Sequence, residues 1–287
     1  MNERRLEAAT VMQDVATGAL VAFAASRPSA LDVSTAVLPL SLSKVFLAAS
    51  WWDNHAPESP VSVHEMLVTG GDNDGRQVAL ALRKTAGDAK VLGDLRRYGF
   101  NRSDEPFWAE VDPQWKKRLT PQAASIRVEG LNDADWATDF SIGEAHMTAT
   151  PLHISRFLQA VGNNGLLCPP AARSRAKTAQ PCAAPTRVVE EATAKRLMAA
   201  MIDTVKRGSA ARNANALADL GWSMGGKTGT GGRAGAPMDE QDGWFAGLIF
   251  DPDGKARYTV ATFVRRGGRG AGNAADICTQ LARFVIP

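Results

Sequence analysis

Strand-like segments stand at the two ends of this 287-residue chain, and helix-like segments fill the interval between them. No other feature restricts the choice of fold as strongly. At the start, Ala8–Met12 and Ala19–Ala25 are short apolar runs. The QDVATG between them places Asp and Gly for a turn, which predicts a β-hairpin. Near the end, GWSMGGKTGTGG, DGWFAGLIFDPDGK and ARYTVATFVRR read as three strands joined by Gly/Asp turns, and GNAADICTQLARFV closes as a helix. The economical arrangement is an α/β (α+β) fold. A central antiparallel five-stranded sheet is built from both chain ends and flanked by helices, with an all-helical subdomain inserted. The expected organisation is a single domain over 1–287. The sheet comes from about 6–30 and 215–287, and the helical subdomain from about 41–210.

The interval fits that division. LPLSLSKVFLAASWW opens a helix near Ser41. HEMLVTG, RQVALALRKTAG, AKVLGDLRRYGF and TPLHISRFLQAVGNNG continue the helical patterning. Thr186–Arg207 is a further helix, apolar at Val189, Leu197, Met198, Met201 and Val205. The chain has no internal repeat, and its one biased segment is the Ala/Pro-rich stretch Cys168–Pro185. At 45% hydrophobic and 22% charged residues the composition is that of a globular protein, which excludes disordered, collagen-like and disulfide-dense classes. The apolar run Ala19–Ala25 falls far short of the roughly 20 residues that cross a bilayer. A net charge of +3, scattered along the chain, gives no basis for a nucleic-acid partner.

Two short motifs could carry chemistry. Ser41-Leu42-Ser43-Lys44 is an S-x-x-K at a predicted helix start. Three residues apart on a helix, Ser41 and Lys44 share a face. A lysine in a dry pocket can be driven towards neutrality and accept the serine's proton. The motif alone is weak, and Ser174-Arg175-Ala176-Lys177 is a second copy, set in a polar, Pro-flanked stretch with no apolar helix behind it. Gly221–Thr228, GWSMGGKT, matches the phosphate-binding pattern G-x-x-x-x-G-K-[ST]. That pattern needs a helix after it, and GTGGRAGAPMDEQDG cannot supply one. The better reading is Lys227-Thr228-Gly229 on a strand, where the glycine admits a close ligand and Lys and Thr bind a carboxylate.

Taken in order, Ser41–Lys44, Gly71-Asp72-Asn73 and Lys227–Gly229 resemble the S-x-x-K, S-D-N and K-T-G set of penicillin-binding proteins and serine β-lactamases. SIGEAHMTATPLHISRFLQAVGNNG resembles the SIGQG…TP…NGG stretch of penicillin-binding transpeptidases. VMQDVATGALVAFAASRP and KTGTGG…GWFAGLIFDPDG resemble their opening and active-site strands. The resemblance covers nearly the whole chain. It implies that Ser41 attacks the penultimate D-alanine carbonyl of a peptidoglycan stem peptide, or a β-lactam ring, with Lys44 as general base. Backbone N–H groups of Ser41 and Thr230 form the oxyanion hole. Asn73 binds the substrate amide and orients Lys44. Lys227, Thr228 and Thr230 hold the terminal carboxylate, with Gly71, Asp72, Gly229 and Gly231 lining the same cleft. A β-lactamase or β-lactam sensor, and a binding module without turnover, are the alternatives. No cofactor or metal is implied, and none of the four histidines lies in an H-E-x-x-H.

The chain departs from the family at Gly71, where a serine hydroxyl normally passes a proton to the leaving group. Thr69 lies two residues away, and the spacing from Ser41 to Asn73 is short. The departure bears on turnover more than on binding. Trp51, Trp52, His146 and His153 read as packing residues. Arg265, Arg266 and Arg269 flank a Gly-rich turn and read as a solvated loop, with help to an anionic substrate as the other reading. Glu144 stands where the family often has Gln. The resemblance implies work outside the cytoplasmic membrane, in the periplasm or at its outer face. MNERRLEAAT is no signal peptide, so an upstream leader or anchor is expected in the gene product. Of the three cysteines, Cys168 and Cys182 are either free thiols or a loop-closing disulfide, which an oxidising compartment would allow.

Overall fold

The computed structural model describes residues 6–27, 30–54, 59–102, 122–128, 130–169, 171–172, 182 and 184–286. The second S-x-x-K, Ser174–Lys177, lies outside the described residues. Strands β1 (Glu7–Asp14) and β2 (Ala19–Ala25) form the expected hairpin. The strands β3 (Ser223–Gly231), β4 (Asp242–Phe250) and β5 (Ala256–Arg265) follow near the end of the chain. All neighbours pair antiparallel, in the order β2-β1-β5-β4-β3. The two chain ends meet inside the sheet, where Glu7 faces Arg265 and Asp14 faces Tyr258. A two-residue piece, Ala171–Ala172, adds to the outer edge of β2 in parallel.

Both faces of the sheet are covered, so its inner strands are apolar on both sides. On β4, Trp244, Ala246 and Leu248 point to the larger core, while Phe245 and Ile249 point to the other. On β5, Ala261 and Phe263 alternate in the same way with Val260 and Val264. The smaller core is closed by α8 (Asn273–Val285) through Ala274, Cys278 and Ala282. Thr10 and Thr262 are buried opposite each other and satisfy their hydroxyls mutually at 2.6 Å.

The larger core receives the helices between β2 and β3. These are α1 (Ser43–Asp53), α2 (Val63–Thr69), α3 (Asp72–Ala86), α4 (Asp88–Arg97), α5 (Asp133–Ser141), α6 (Pro151–Gly162) and α7 (Glu191–Arg207). The sequence marks several starts. Ser62, Asn132 and Thr150 each accept from a backbone N–H one turn on, and Pro151 occupies the first turn of α6. Helix α7 is shorter than its expected Thr186–Arg207, because Thr186–Arg187 pairs instead with Leu166–Leu167. Helix α5, in DADWATDFS, has no counterpart in the sequence reading. Its buried Trp136 donates to the Ala79 carbonyl of α3. Among the described residues no helix is long and apolar enough to cross a membrane.

Cys168 and Cys182 are disulfide-bonded, with Cα atoms 5.4 Å apart, and Cys278 is a buried free thiol.

Candidate active site

Ser41 sits in a single 3₁₀ turn, Leu40–Leu42, that runs directly into α1. Leu40 adopts a left-handed φ of 53°, a costly conformation for a branched side chain that its surroundings must enforce. Three contacts do so. The Trp244 indole of β4 donates to the Leu38 carbonyl at 2.9 Å, Leu40 N–H donates to the Gly143 carbonyl at 3.2 Å, and Ser43 Oγ donates to the Phe140 carbonyl at 3.0 Å. Gly143 itself has φ +71°, and a Cβ there would run into the Leu40 carbonyl oxygen. Only glycine fits that position.

Lys44 follows one turn after Ser41. Its side chain is fully buried, and Nζ donates to Ser41 Oγ at 3.2 Å, to Asp72 Oδ1 at 2.6 Å and to the Ser141 carbonyl. Burial pushes its pKa below the ordinary lysine value, and the Asp72 carboxylate pulls it back up.

The middle motif forms the start of α3. Gly71 is the N-cap residue, with φ −57° and no side chain to cap the helix. The contact to Lys44 comes from Asp72, the next residue. Asn73 is exposed and makes no hydrogen bond to Lys44. The Thr69 hydroxyl is used within α2, donating to the Glu65 carbonyl and accepting from Gly71 N–H.

Strand β3 brings the third motif alongside. A Cβ built on Gly229 would lie 3.2 Å from Leu40 Cβ, so the bare glycine lets the strand lie against the Ser41 turn. Lys227 is buried, and Nζ donates to the Thr228 carbonyl at 3.1 Å. Burial, reinforced by the Lys44 charge, pushes its pKa down to about 7, against a smaller upward pull from Asp72. The Thr228 hydroxyl meets Ser209 Oγ at 2.9 Å, and Thr230 Oγ1 accepts from Gly270 N–H at 3.0 Å. A strand through Lys227 and Thr228, with no helix after it, also disposes of the phosphate-loop reading of GWSMGGKT.

One segment holds all of this together. The Ser141 carbonyl receives Lys44, the Gly143 carbonyl receives Leu40, and Glu144 Oε1 accepts from Gly232 N–H at 2.8 Å at the end of β3. The sequence reading gave Glu144 no role. Nothing in the string says that two distant motifs meet it.

The family model for the penicillin-binding protein transpeptidase domain matches residues 119–282. The chain belongs to that family. Transpeptidase domains of known structure share its fold. Penicillin-binding protein A of Mycobacterium tuberculosis aligns with a TM-score of 0.76 at 17% identity, over 98% of this chain and 75% of its own. Its imipenem acyl-enzyme aligns at 0.74 and 16%, over 98% and 74%. The transpeptidase domain of Burkholderia pseudomallei penicillin-binding protein 3 gives 0.70 and 18%, over 98% and 89%. No curated protein matches the chain by sequence.

Several residues outside the motifs of this transpeptidase domain are structural. His153 is buried against Phe46 and Phe100, donates from Nε2 to the Tyr98 carbonyl at 2.9 Å, and is held neutral by burial, which pushes its pKa down to about 4. His146 Nδ1 meets the buried Asp139 carboxylate at 2.8 Å. Trp51 is buried in the larger core. Arg265 pairs with Glu7, while Arg266 and Arg269 are exposed.

Proposed function

We propose that this domain is a serine D,D-transpeptidase or carboxypeptidase acting on the D-Ala-D-Ala end of peptidoglycan stem peptides, and that β-lactams acylate it. The observation that carries the reading is the contact of buried Lys44 with Ser41 Oγ, beside a strand presenting Lys227, Thr228 and Thr230. Ser41 is the nucleophile, and Lys44, once neutral, takes its proton. Backbone N–H groups of Ser41 and Thr230 receive the oxyanion. Lys227, Thr228 and Thr230 bind the terminal carboxylate, with Gly229 and Gly231 keeping the strand open to it. Asn73, exposed at the start of α3, contacts the substrate amide. The domain takes in the whole chain, and it works in the cell envelope, where a disulfide such as Cys168–Cys182 persists. The imipenem acyl-enzyme of the mycobacterial relative supports the β-lactam arm.

Incubation with fluorescent penicillin, followed by mass spectrometry, tests the reading. A long-lived adduct on the Ser41 peptide, absent in Ser41→Ala, is expected. No adduct overturns the reading, and rapid turnover reassigns the domain as a β-lactamase.

A further inference from the structure

Gly71 leaves the start of α3 without a hydroxyl, and a carboxylate stands beside the gap. Asp72 Oδ1 lies 2.6 Å from Lys44 Nζ, closer than Ser41 Oγ at 3.2 Å. The two partners differ in exposure. The Lys44 side chain is 0% exposed, whereas that of Asp72 is 57% exposed and opens to solvent beyond the lysine. Asp72 also opens α3, where a negative charge is favoured by the helix dipole. The charged group that the Lys44–Asp72 pair meets from another element is Lys227 of β3. Asp74 of α3 lies beside Gly71, with its Oδ2 2.9 Å from where a Cβ on that glycine would stand. From α5 the contact is the Ser141 carbonyl, which bears no charge.

With three acceptors around its Nζ, Lys44 rests as an ammonium and cannot accept a proton until it gives one up. The geometry points to Asp72 as the group that takes this proton and delivers it to the leaving nitrogen, in place of the hydroxyl missing at Gly71. The inference rests on the acyl-transferase reading of the site. A proton moves from Lys44 Nζ to Asp72 Oδ1, leaving a neutral amine and a carboxylic acid. The amine takes the proton of Ser41 as Oγ bonds to the substrate carbonyl carbon. When the C–N bond breaks, the Asp72 acid protonates the departing nitrogen. Ammonium and carboxylate are restored, and the proton lost by Ser41 is balanced by the one gained by the amine.

The test compares leaving groups. A D-Ala-D-Ala peptide expels an amine, which needs a proton. A thioester analogue expels a thiolate, which does not. Single-turnover acylation of Ser41 is measured with both, in wild type, Asp72→Asn, Asp72→Glu and the double variant Gly71→Ser/Asp72→Asn. General acid assistance is worth about 10²–10⁴-fold, so Asp72→Asn should slow the peptide by roughly 100-fold or more and the thioester by much less. Asp72→Glu should keep most of the peptide rate. The serine hydroxyl of the double variant should recover at least about tenfold over Asp72→Asn on the peptide. Removing the carboxylate also removes the upward pull on Lys44, which then sheds its proton to solvent more readily, so the thioester keeps a base at Ser41 and the acid limb of its acylation should move to lower pH in Asp72→Asn. Equal slowing of both substrates, unchanged peptide acylation, or no recovery in the double variant overturns the relay. A wild type that accepts the thioester but not the peptide does so as well. Should Asp72→Asn melt below wild type, Asp72→Glu against wild type decides, and a peptide-selective loss in it would count against the relay. Failure of the wild type to label with fluorescent penicillin would instead overturn the acyl-transferase reading itself.

Discussion

Lys227 lies buried on β3 with the Thr228 carbonyl as a hydrogen-bond partner and the Lys44 ammonium nearby, and these surroundings bring its pKa down to about 7. The unfolded chain keeps that proton up to about 10.5, so between the two values the unfolded state binds more protons than the folded one. Stability therefore carries the full penalty of this group below about pH 7 and recovers as pH rises towards 10.5. Lys227→Met removes the charge and keeps the stem. It should raise Tm at about pH 6, and that advantage should shrink by about pH 9. A Tm difference that does not change with pH would refute the account. The same substitution should slow penicillin acylation by roughly 10- to 100-fold, since a charged hydrogen bond to the carboxylate is worth about 1.5–3 kcal/mol. Those two outcomes together would show stability and function pulling in opposite directions at one residue.

At the scale of elements, the site depends on how helix starts and turns are built. Gly71 caps α3 with φ −57°, a backbone conformation open to any residue, and the first group a new Cβ there would meet is the flexible Asp74 side chain, whose Oδ2 would lie at 2.9 Å. Gly71→Ser should therefore fold normally and gain a few tenths of a kcal/mol from its capping hydroxyl, read as a small rise in the denaturation midpoint. A loss of stability would show that the start of α3 has no room for a side chain. Gly143 is the opposite case, since its left-handed φ and the Leu40 carbonyl leave no space for a methyl group. Gly143→Ala should cost about 1–3 kcal/mol in urea unfolding and slow Ser41 labelling, because the Leu40 turn must shift. Full labelling by that variant would mean that the turn does not set the nucleophile. Glu144→Ala removes an exposed contact to Gly232 N–H, so its stability should change by no more than about 1 kcal/mol. The free end of β3 should then weaken carboxylate binding, read as a raised KM with kcat nearly unchanged.

Across the whole molecule, the disulfide and the Lys227 strand β3 occupy opposite edges of the sheet. Ala171–Ala172 beside Cys168 pairs with β2, whereas β3 is the far edge strand. The bond closes a loop with a sequence separation of 14, for which loop-closure entropy is worth about 3 kcal/mol. Reduction, or replacement of both cysteines by alanine, should lower the unfolding free energy by up to about that amount. The rate of penicillin acylation measured well below Tm should stay the same. A large fall in that rate would mean that the two edges are coupled through the sheet. Thiol titration of unreduced, denatured protein should count one free thiol, Cys278.

The sequence by itself determined the strands and most helices, because these are written in local periodicity. Alternating apolar residues in ARYTVATFVR and Gly/Asp turns such as DPDG are enough to place strands, and S-x-x-K at a helix start places Ser41 and Lys44 on one face. Helix α5 escaped because DADWATDFS is short and acidic, and its apolar residues gain meaning only against α3. Tertiary structure alone decided the rest. The choice of Asp72 over Asn73 as the partner of Lys44 depends on the direction in which α3 leaves its cap, which no motif spacing encodes. The joining of Ser41, Lys44 and β3 by Ser141, Gly143 and Glu144 depends on contacts between residues about 90 or more positions apart. The depression of Lys227 depends on burial, a property of everything packed around it rather than of the K-T-G that names it.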